Sequence, residues 1–227
     1  MNTFNILDFG AVADAVTNNA KSIQKAIDEA SSCNGTVIVP RGEFLSGTLV
    51  LKSNIDLHLE KGAVLISSLN EEDILDFAKL FEDDNACTGW DGGCFLFACH
   101  EKNITISGEG TIYGQGDKVF FDDNADGGYH ECPLNVAAFR PRTTFFEDVE
   151  NLTVRDITFK DAAFWTLHMA GCREVSVLDI KILNDVRGAN NDGIDPDCCK
   201  DVIIRGCMIK TGDDAIVIKT TKPMSER

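Results

Sequence analysis

The chain has 227 residues, 44% of them hydrophobic, which is enough for one sizeable core and too apolar for a disordered segment. Its formal net charge is −16 at pH 7, which argues against nucleic acid as a general partner and means that an anionic ligand would need a local cluster of cations. No apolar run is long enough to span a bilayer, and Met1 to Asp8 shows neither a basic n-region nor an apolar h-region, so the expectation is a cytoplasmic protein with no membrane partner.

In chain order, Phe4 to Phe9 reads as a strand and Gly10 to Asp14 as a turn. Asn18 or Asn19 is placed to cap a helix over Ala20 to Ser31, where Ile23, Ala26, Ile27 and Ala30 recur at helical spacing. Cys33-Asn34-Gly35 ends it, and Thr36 to Val39 is a short strand stopped by Pro40-Arg41-Gly42. Strand-like runs follow over Phe44 to Leu51, Ile55 to Leu59 and Ala63 to Ile66. Glu71 to Phe81 reads as a helical or irregular insertion, and residues 82–99 and 114–135 read as polar loops. Acidic residues in the second loop suggest calcium, but their spacing does not fit an EF-hand, and a solvated loop is the plainer reading.

The nine cysteines are Cys33, Cys87, Cys94, Cys99, Cys132, Cys172, Cys198, Cys199 and Cys207. An odd count without an export signal favours free, buried thiols. Cys94 and Cys99 are too far apart for a C-x₂₋₄-C zinc motif, and adjacent Cys198 and Cys199 would point to opposite faces of a strand. No metal or other cofactor is expected.

The second half of the chain repeats. Asn103-Ile104-Thr105-Ile106-Ser107-Gly108 is similar to Asn151-Leu152-Thr153-Val154-Arg155-Asp156, to Glu174-Val175-Ser176-Val177-Leu178-Asp179 and to Asp201-Val202-Ile203-Ile204-Arg205-Gly206. The last three units start 23 and 27 residues apart (174 − 151 and 201 − 174). Each is followed by a second β-run, such as Ile157 to Phe159, and then a third, such as Trp165 to Met169. Three short strands per coil without interleaved helices predict an all-β fold, a right-handed parallel β-helix with an N-terminal capping α-helix. It would form a single domain over 1–227, with residues 1–50 as cap and first coil. A sandwich or barrel of antiparallel strands fits less well, because no Asn-Gly hairpins separate the runs.

The chemistry is concentrated in Asn190-Asn191-Asp192-Gly193-Ile194-Asp195 and Gly212-Asp213-Asp214. Asp192 and Asp214 are 22 residues apart (214 − 192), about one coil, so they are expected to stack on neighbouring coils about 4.8 Å apart. Asp213 joins them, making three carboxylates on one patch: one to protonate a leaving group and others to activate water. An Asp before a strand can instead make an Asx turn, which is as good a reading for Asp195 and Asp197.

These segments, together with Asn5 to Ala11, Ser22 to Ile27, Leu51 to Asn54 and Leu57 to Ala63, resemble the polygalacturonase family of glycoside hydrolases (family 28) over nearly the whole chain. Asn191 stands where that family usually has Thr. The resemblance implies a pectic poly- or oligogalacturonide as substrate, Asp192 and Asp213 activating water, and Asp214 as general acid. It implies inversion, although the coil spacing is nearer the carboxyl separation of retaining enzymes. Asn190, Arg187, Lys219 and Trp165 are the candidate substrate contacts, and Arg140 and Arg142 are further available cations; each of the four cations reads more readily as a solvated surface charge, and Trp165 equally as a packing residue. The family's Gly-His-Gly and Arg-Ile-Lys elements would follow Asp214 and are absent before Arg227, so the expectation is a C-terminally truncated chain. It would have weak or no activity alone and an open last coil prone to self-association. Hydrolysis of another pectic glycan such as rhamnogalacturonan, β-helix lyase chemistry, and a non-catalytic carbohydrate-binding β-helix are the competing functions.

Overall fold

A computed structural model of the protein describes residues 2–76, 93–121, 134–136 and 139–221. Its strands form three parallel sheets that wind around one core as a right-handed β-helix. Sheet 1 runs Thr3–Asn5, Thr36–Val39, Ile55–Leu59, Lys102–Ser107, Glu150–Arg155, Arg173–Leu178 and Lys200–Arg205. Sheet 2 stacks Leu49–Val50, Cys94–Cys99, Arg142–Glu147, Leu167–Ala170 and Ile194–Asp197. Sheet 3 stacks Gly42–Ser46, Ala63–Ser67, Thr111–Tyr113, Thr158–Lys160, Lys181–Leu183 and Met208–Lys210.

The repeat works because alternation in each strand sends equivalent apolar residues inward, where the next coil meets them in register. Val37, Leu57, Ile106, Val154, Val177 and Ile204 form one such column in sheet 1. Phe44, Leu65, Ile112, Phe159, Ile182 and Ile209 form its counterpart in sheet 3.

The corner into sheet 1 repeats too. Asn54, Asn103 and Asn151 sit there with φ of 63°, 55° and 57°, a left-handed conformation that asparagine tolerates better than most residues. Their amides form a ladder: Asn103 Nδ2 donates to Asn54 Oδ1 at 2.8 Å, and Asn151 Nδ2 donates to Asn103 Oδ1 at 2.9 Å. Asn103→Ala removes both bonds and keeps the unfavourable φ, so it should destabilise the fold by about 1–2 kcal/mol, read as a lower midpoint in urea. An unchanged midpoint would show the ladder to be ornamental.

The helix Ala20–Ser31 closes the N-terminal end as expected, with Ile23, Ala26, Ile27 and Ala30 fully buried. Gln24 also satisfies an edge of the first coil: Nε2 donates to Val50 O and Oε1 accepts from Val50 N, both at 2.9 Å. That pairing covers backbone groups that would otherwise invite another strand. At the helix start, the side chain of Asn19 does not cap. It is buried and bonds to Val12, Thr17 and Leu45 instead, while Asn18 Oδ1 accepts from Ala20 N. On the last described coil of the β-helix, Ile203, Met208, Ile216 and Ile218 are exposed. No helix of the described residues is long and apolar enough to cross a membrane.

Three local expectations change. Phe4 to Phe9 is a strand only to Asn5; Ile6–Phe9 is a 3-10 turn, held at its start by Asn5 Oδ1 accepting from Leu7 N. The end of the expected loop 82–99 is instead the sheet 2 strand Cys94–Cys99, buried from Cys94 through Ala98 on both faces, so its sequence shows no alternation. Within the expected loop 114–135, Phe120–Phe121 pairs antiparallel with Asn135–Val136. Glu71–Asp73 is a 3-10 turn. The rest of the insertion to Phe81, Cys87, Cys132 and the acidic segment considered for calcium lie outside the described residues. The seven described cysteines are all free thiols.

Candidate active site

The three aspartates lie where the coil after Leu183 returns to sheet 2 and where the next coil does the same. Parallel pairing carries the 22-residue offset through: Gly193 N donates to Asp214 O at 2.8 Å, and Ile194 bridges to Ile216. Close approach of the two coils requires glycine. A Cβ on Gly193 would lie 2.4 Å from Ala215 O, and one on Gly212 would lie 2.4 Å from Gly188 O. The outcome is that Asp192, Asp213 and Asp214 each present a carboxylate oxygen within 4.8 Å of the others, with Asp192 buried and the other two exposed. That spacing could also seat a cation between them.

Asn191 holds the arrangement from below. It is fully buried; its Nδ2 donates to Asp185 O and its Oδ1 accepts from Gly212 N, both at 2.7 Å. One amide thus ties the turn before Asp192 to the turn before Asp213, which gives the departure from Thr at this position a structural use. Asn184 continues the scaffold, donating to Thr166 Oγ1 and Asn191 O at 2.9 Å each. Asn191→Ala would remove both bonds, although Asp185 O keeps the one from Gly188 N at 3.2 Å, and should cost about 1–2 kcal/mol, checked by thermal melting. Retained stability would mean that water replaces the amide.

Asp213 is oriented by two backbone donors: Asn190 N at 3.2 Å on Oδ2 and Asp214 N at 2.9 Å on Oδ1. Asp192 faces Lys219, whose Nζ is 3.3 Å from Asp192 Oδ2 and 3.1 Å from Asp195 Oδ1. Burial raises Asp192 above the ordinary carboxylate range and Asp213 adds to this, while Lys219 opposes it. Asp195 is fully buried and neither of its oxygens makes a well-formed hydrogen bond. Burial, then the charge of Asp192, pushes it up to about 8 against the pull of Lys219. Burial works against the ammonium of Lys219, but Asp195 and Asp192 outweigh it and hold its proton more tightly than usual.

A second buried row lies beside this one. His168 pairs in register with Asp195 and packs between Phe145 and Trp165, each ring centroid 4.8 Å from its own. Its two ring nitrogens lack hydrogen-bond partners, and Nε2 is 3.7 Å from Asp197 Oδ2, too far for a hydrogen bond. Burial lowers His168 to about 4, so the ring is neutral at pH 7. Burial would raise Asp197, but contact with His168 and hydrogen bonds from the Thr221 hydroxyl and backbone outweigh it and hold its carboxyl well below the usual range.

The candidate substrate contacts fare differently. Asn190 is exposed at the cluster and shares it through its bond to Asp213. Lys219 is at the site, but its ammonium faces Asp192 and Asp195 and lies 4.2 Å from the Trp165 ring centroid, so it neutralises the site's own acids. Trp165 is 6% exposed, stacked with Phe164 at 5.5 Å, and forms floor more than an open platform for a sugar. Arg187 is half-buried in the turn after Asp185, where its N–H bonds Asp185 Oδ1 and its carbonyl accepts from Leu134 N. Asp195 is the participant that sequence reasoning left undecided. The available signal was the alignment of the run Gly193 to Asp195 with Trp165 to Met169, which sets Asp195 level with His168.

Comparison with known proteins agrees with this geometry. The profile of Glycosyl hydrolases family 28 matches residues 32–225. A probable polygalacturonase of Vitis vinifera is 29% identical over 225 residues, covering 95% of this chain and 44% of that protein. Among solved structures, a hyperthermoactive exopolygalacturonase from Thermotoga maritima superposes with a TM-score of 0.78 at 27% identity, over 100% of this chain and 56% of that one. A family 28 exopolygalacturonase of Yersinia enterocolitica shares the fold, with a TM-score of 0.79 at 24% identity over 96% of this chain and 44% of that one. The chain spans about half the length of the curated relatives it matches. A β-helix of this repeat, three aspartates brought together by its coil spacing and a profile match over most of the sequence have one common explanation: the chain belongs to glycosyl hydrolases family 28.

Proposed function

We propose that this chain carries the catalytic carboxylates of a hydrolase that cleaves α-1,4-galacturonosidic bonds in pectic poly- or oligogalacturonides with inversion. The observation that carries the reading is the gathering of Asp192, Asp213 and Asp214 within 4.8 Å on the outer side of a family 28 coil. Asp214 is exposed and serves as general acid on the glycosidic oxygen. Asp213, fixed by its two backbone donors, and Asp192, backed by Lys219, share one water and remove its proton as the water attacks the anomeric carbon. The names of the polygalacturonase relatives support galacturonan as the substrate class.

The test is turnover of galacturonan oligomers by this chain, scoring new reducing ends and unsaturated products separately, with Asp214→Asn as control and rhamnogalacturonan as a parallel substrate. Reducing ends that depend on Asp214, released first as the inverted anomer in a proton NMR time course, are the expected result. Unsaturated product would mean a lyase, the retained anomer would mean a covalent intermediate, and turnover of rhamnogalacturonan alone would move the substrate class.

A further inference from the structure

A polyanionic saccharide approaching this site meets a chain of net charge −16 and three clustered carboxylates. Binding therefore needs a cation whose charge is not already matched by the protein. Lys219 is matched by Asp192 and turned inward, 3.1 Å from Asp195. Arg142 is 2% exposed, with its guanidinium carbon 5.1 Å from the Phe164 ring centroid and 5.3 Å from that of Trp165.

Arg140 is different. It is half-buried, and its guanidinium carbon lies 4.5 Å from the centroid of the half-buried Phe164 ring. Nη1 donates to Ala189 O at 2.5 Å and Nη2 to Asn190 Oδ1 at 2.8 Å. Both acceptors are neutral, and among the described residues no carboxylate forms an ion pair with it. The charge of Asp192 reaches it only through space. Two of the five guanidinium N–H donors are engaged, so the group is fixed in place with donors to spare. The residue it grips, Asn190, also donates its backbone N–H to Asp213. Arg140 is thereby tied, through one intervening residue, to the acid cluster.

We propose that Arg140, laid on Phe164 and clamped by Ala189 and Asn190, is the carboxylate-binding subsite for a uronate sugar seated beside the Asp192, Asp213 and Asp214 cluster. The guanidinium fork takes the carboxylate, and Phe164, stacked in turn on Trp165, holds the fork in place. The assignment rests on the hydrolase reading above, because that reading supplies the uronate.

The experiment is calorimetric binding of trigalacturonate and of its neutral, fully methyl-esterified counterpart to the Asp214→Asn chain, alone and combined with Arg140→Gln or Arg140→Lys. Arg140→Gln should weaken trigalacturonate by about 10- to 100-fold and leave the neutral oligomer within about twofold, and Arg140→Lys should recover part of the loss. If Arg140 only clamps the 189–190 turn, both oligomers lose affinity together, and that result overturns the assignment. Unchanged trigalacturonate binding in Arg140→Gln overturns it too, while leaving the hydrolase reading intact. A parent chain that binds neither oligomer removes the uronate substrate and both proposals with it.

Discussion

Asp214→Asn is expected to cut release of reducing ends from galacturonan oligomers by about 10²- to 10⁴-fold, the usual worth of a positioned proton donor. Asparagine keeps the shape of the side chain and cannot supply the proton, so the loss should fall on kcat with little change in KM. Asp213→Asn and Asp192→Asn should fall in the same range, because two carboxylates sharing one water cannot substitute for each other once one is neutral. Losses at such a site are not additive: the triple variant should be no worse than about the worst single one. The geometry separates the three roles further. Asp213 and Asp214 are exposed, so their variants should fold like the parent, whereas Asp192 faces Lys219 inside the wall and its variant should also change stability. A replacement at Asp214 that keeps more than a tenth of the parent rate would sink its assignment as the acid. Equal indifference at all three positions would return the site to a structural row of Asx turns.

Much of this was legible in the sequence because a β-helix writes its structure as a period. The units beginning at Asn151, Glu174 and Asp201 repeat their apolar positions at the spacing of a coil, and the structure stacks them in register. The same period brings Asp192 over to Asp214. What stayed hidden depends on side-chain reach or on burial that leaves no pattern. The strand Cys94–Cys99 is covered on both faces, so it offers no alternation to read. Arg140 meets Asn190 across 50 positions in the chain, and only the path of its side chain over Phe164 makes them neighbours. Lys219, placed by sequence among the substrate contacts, faces two buried acids because register sets it beside Asp197, at the end of the strand that carries Asp195.

That buried pair of acids leads to the other large effect. Asp195→Asn is expected to stabilise the protein at neutral pH. Asp195 ionises near the ordinary aspartate value of 3.8 in the unfolded chain and at about 8 in the fold. Between those values the unfolded state has released a proton that the fold keeps, so the unfolded state binds fewer protons and stability falls as pH rises across the window. Below the unfolded value the penalty vanishes. Asparagine has no proton to lose, so at pH 7 the variant should exceed the parent by on the order of a few kcal/mol, seen as a melting temperature higher by about 5 °C or more. The gap should close towards pH 4. His168 shapes the parent curve with the opposite sign: its folded value of about 4 lies below the ordinary 6.5, so its contribution is present above 6.5 and lost as pH falls through that range. Comparing variant with parent at each pH cancels the His168 contribution to first order and leaves that of Asp195. Lys219 supplies the control. With Asp195 protonated at pH 7, Lys219 is paired there chiefly with Asp192, so Lys219→Met should cost about the same in the parent as in Asp195→Asn. A variant no more stable than the parent at pH 7, or a lysine whose loss costs several kcal/mol more in the parent than in Asp195→Asn, would show that Asp195 is ionised in the fold and that Lys219 compensates it.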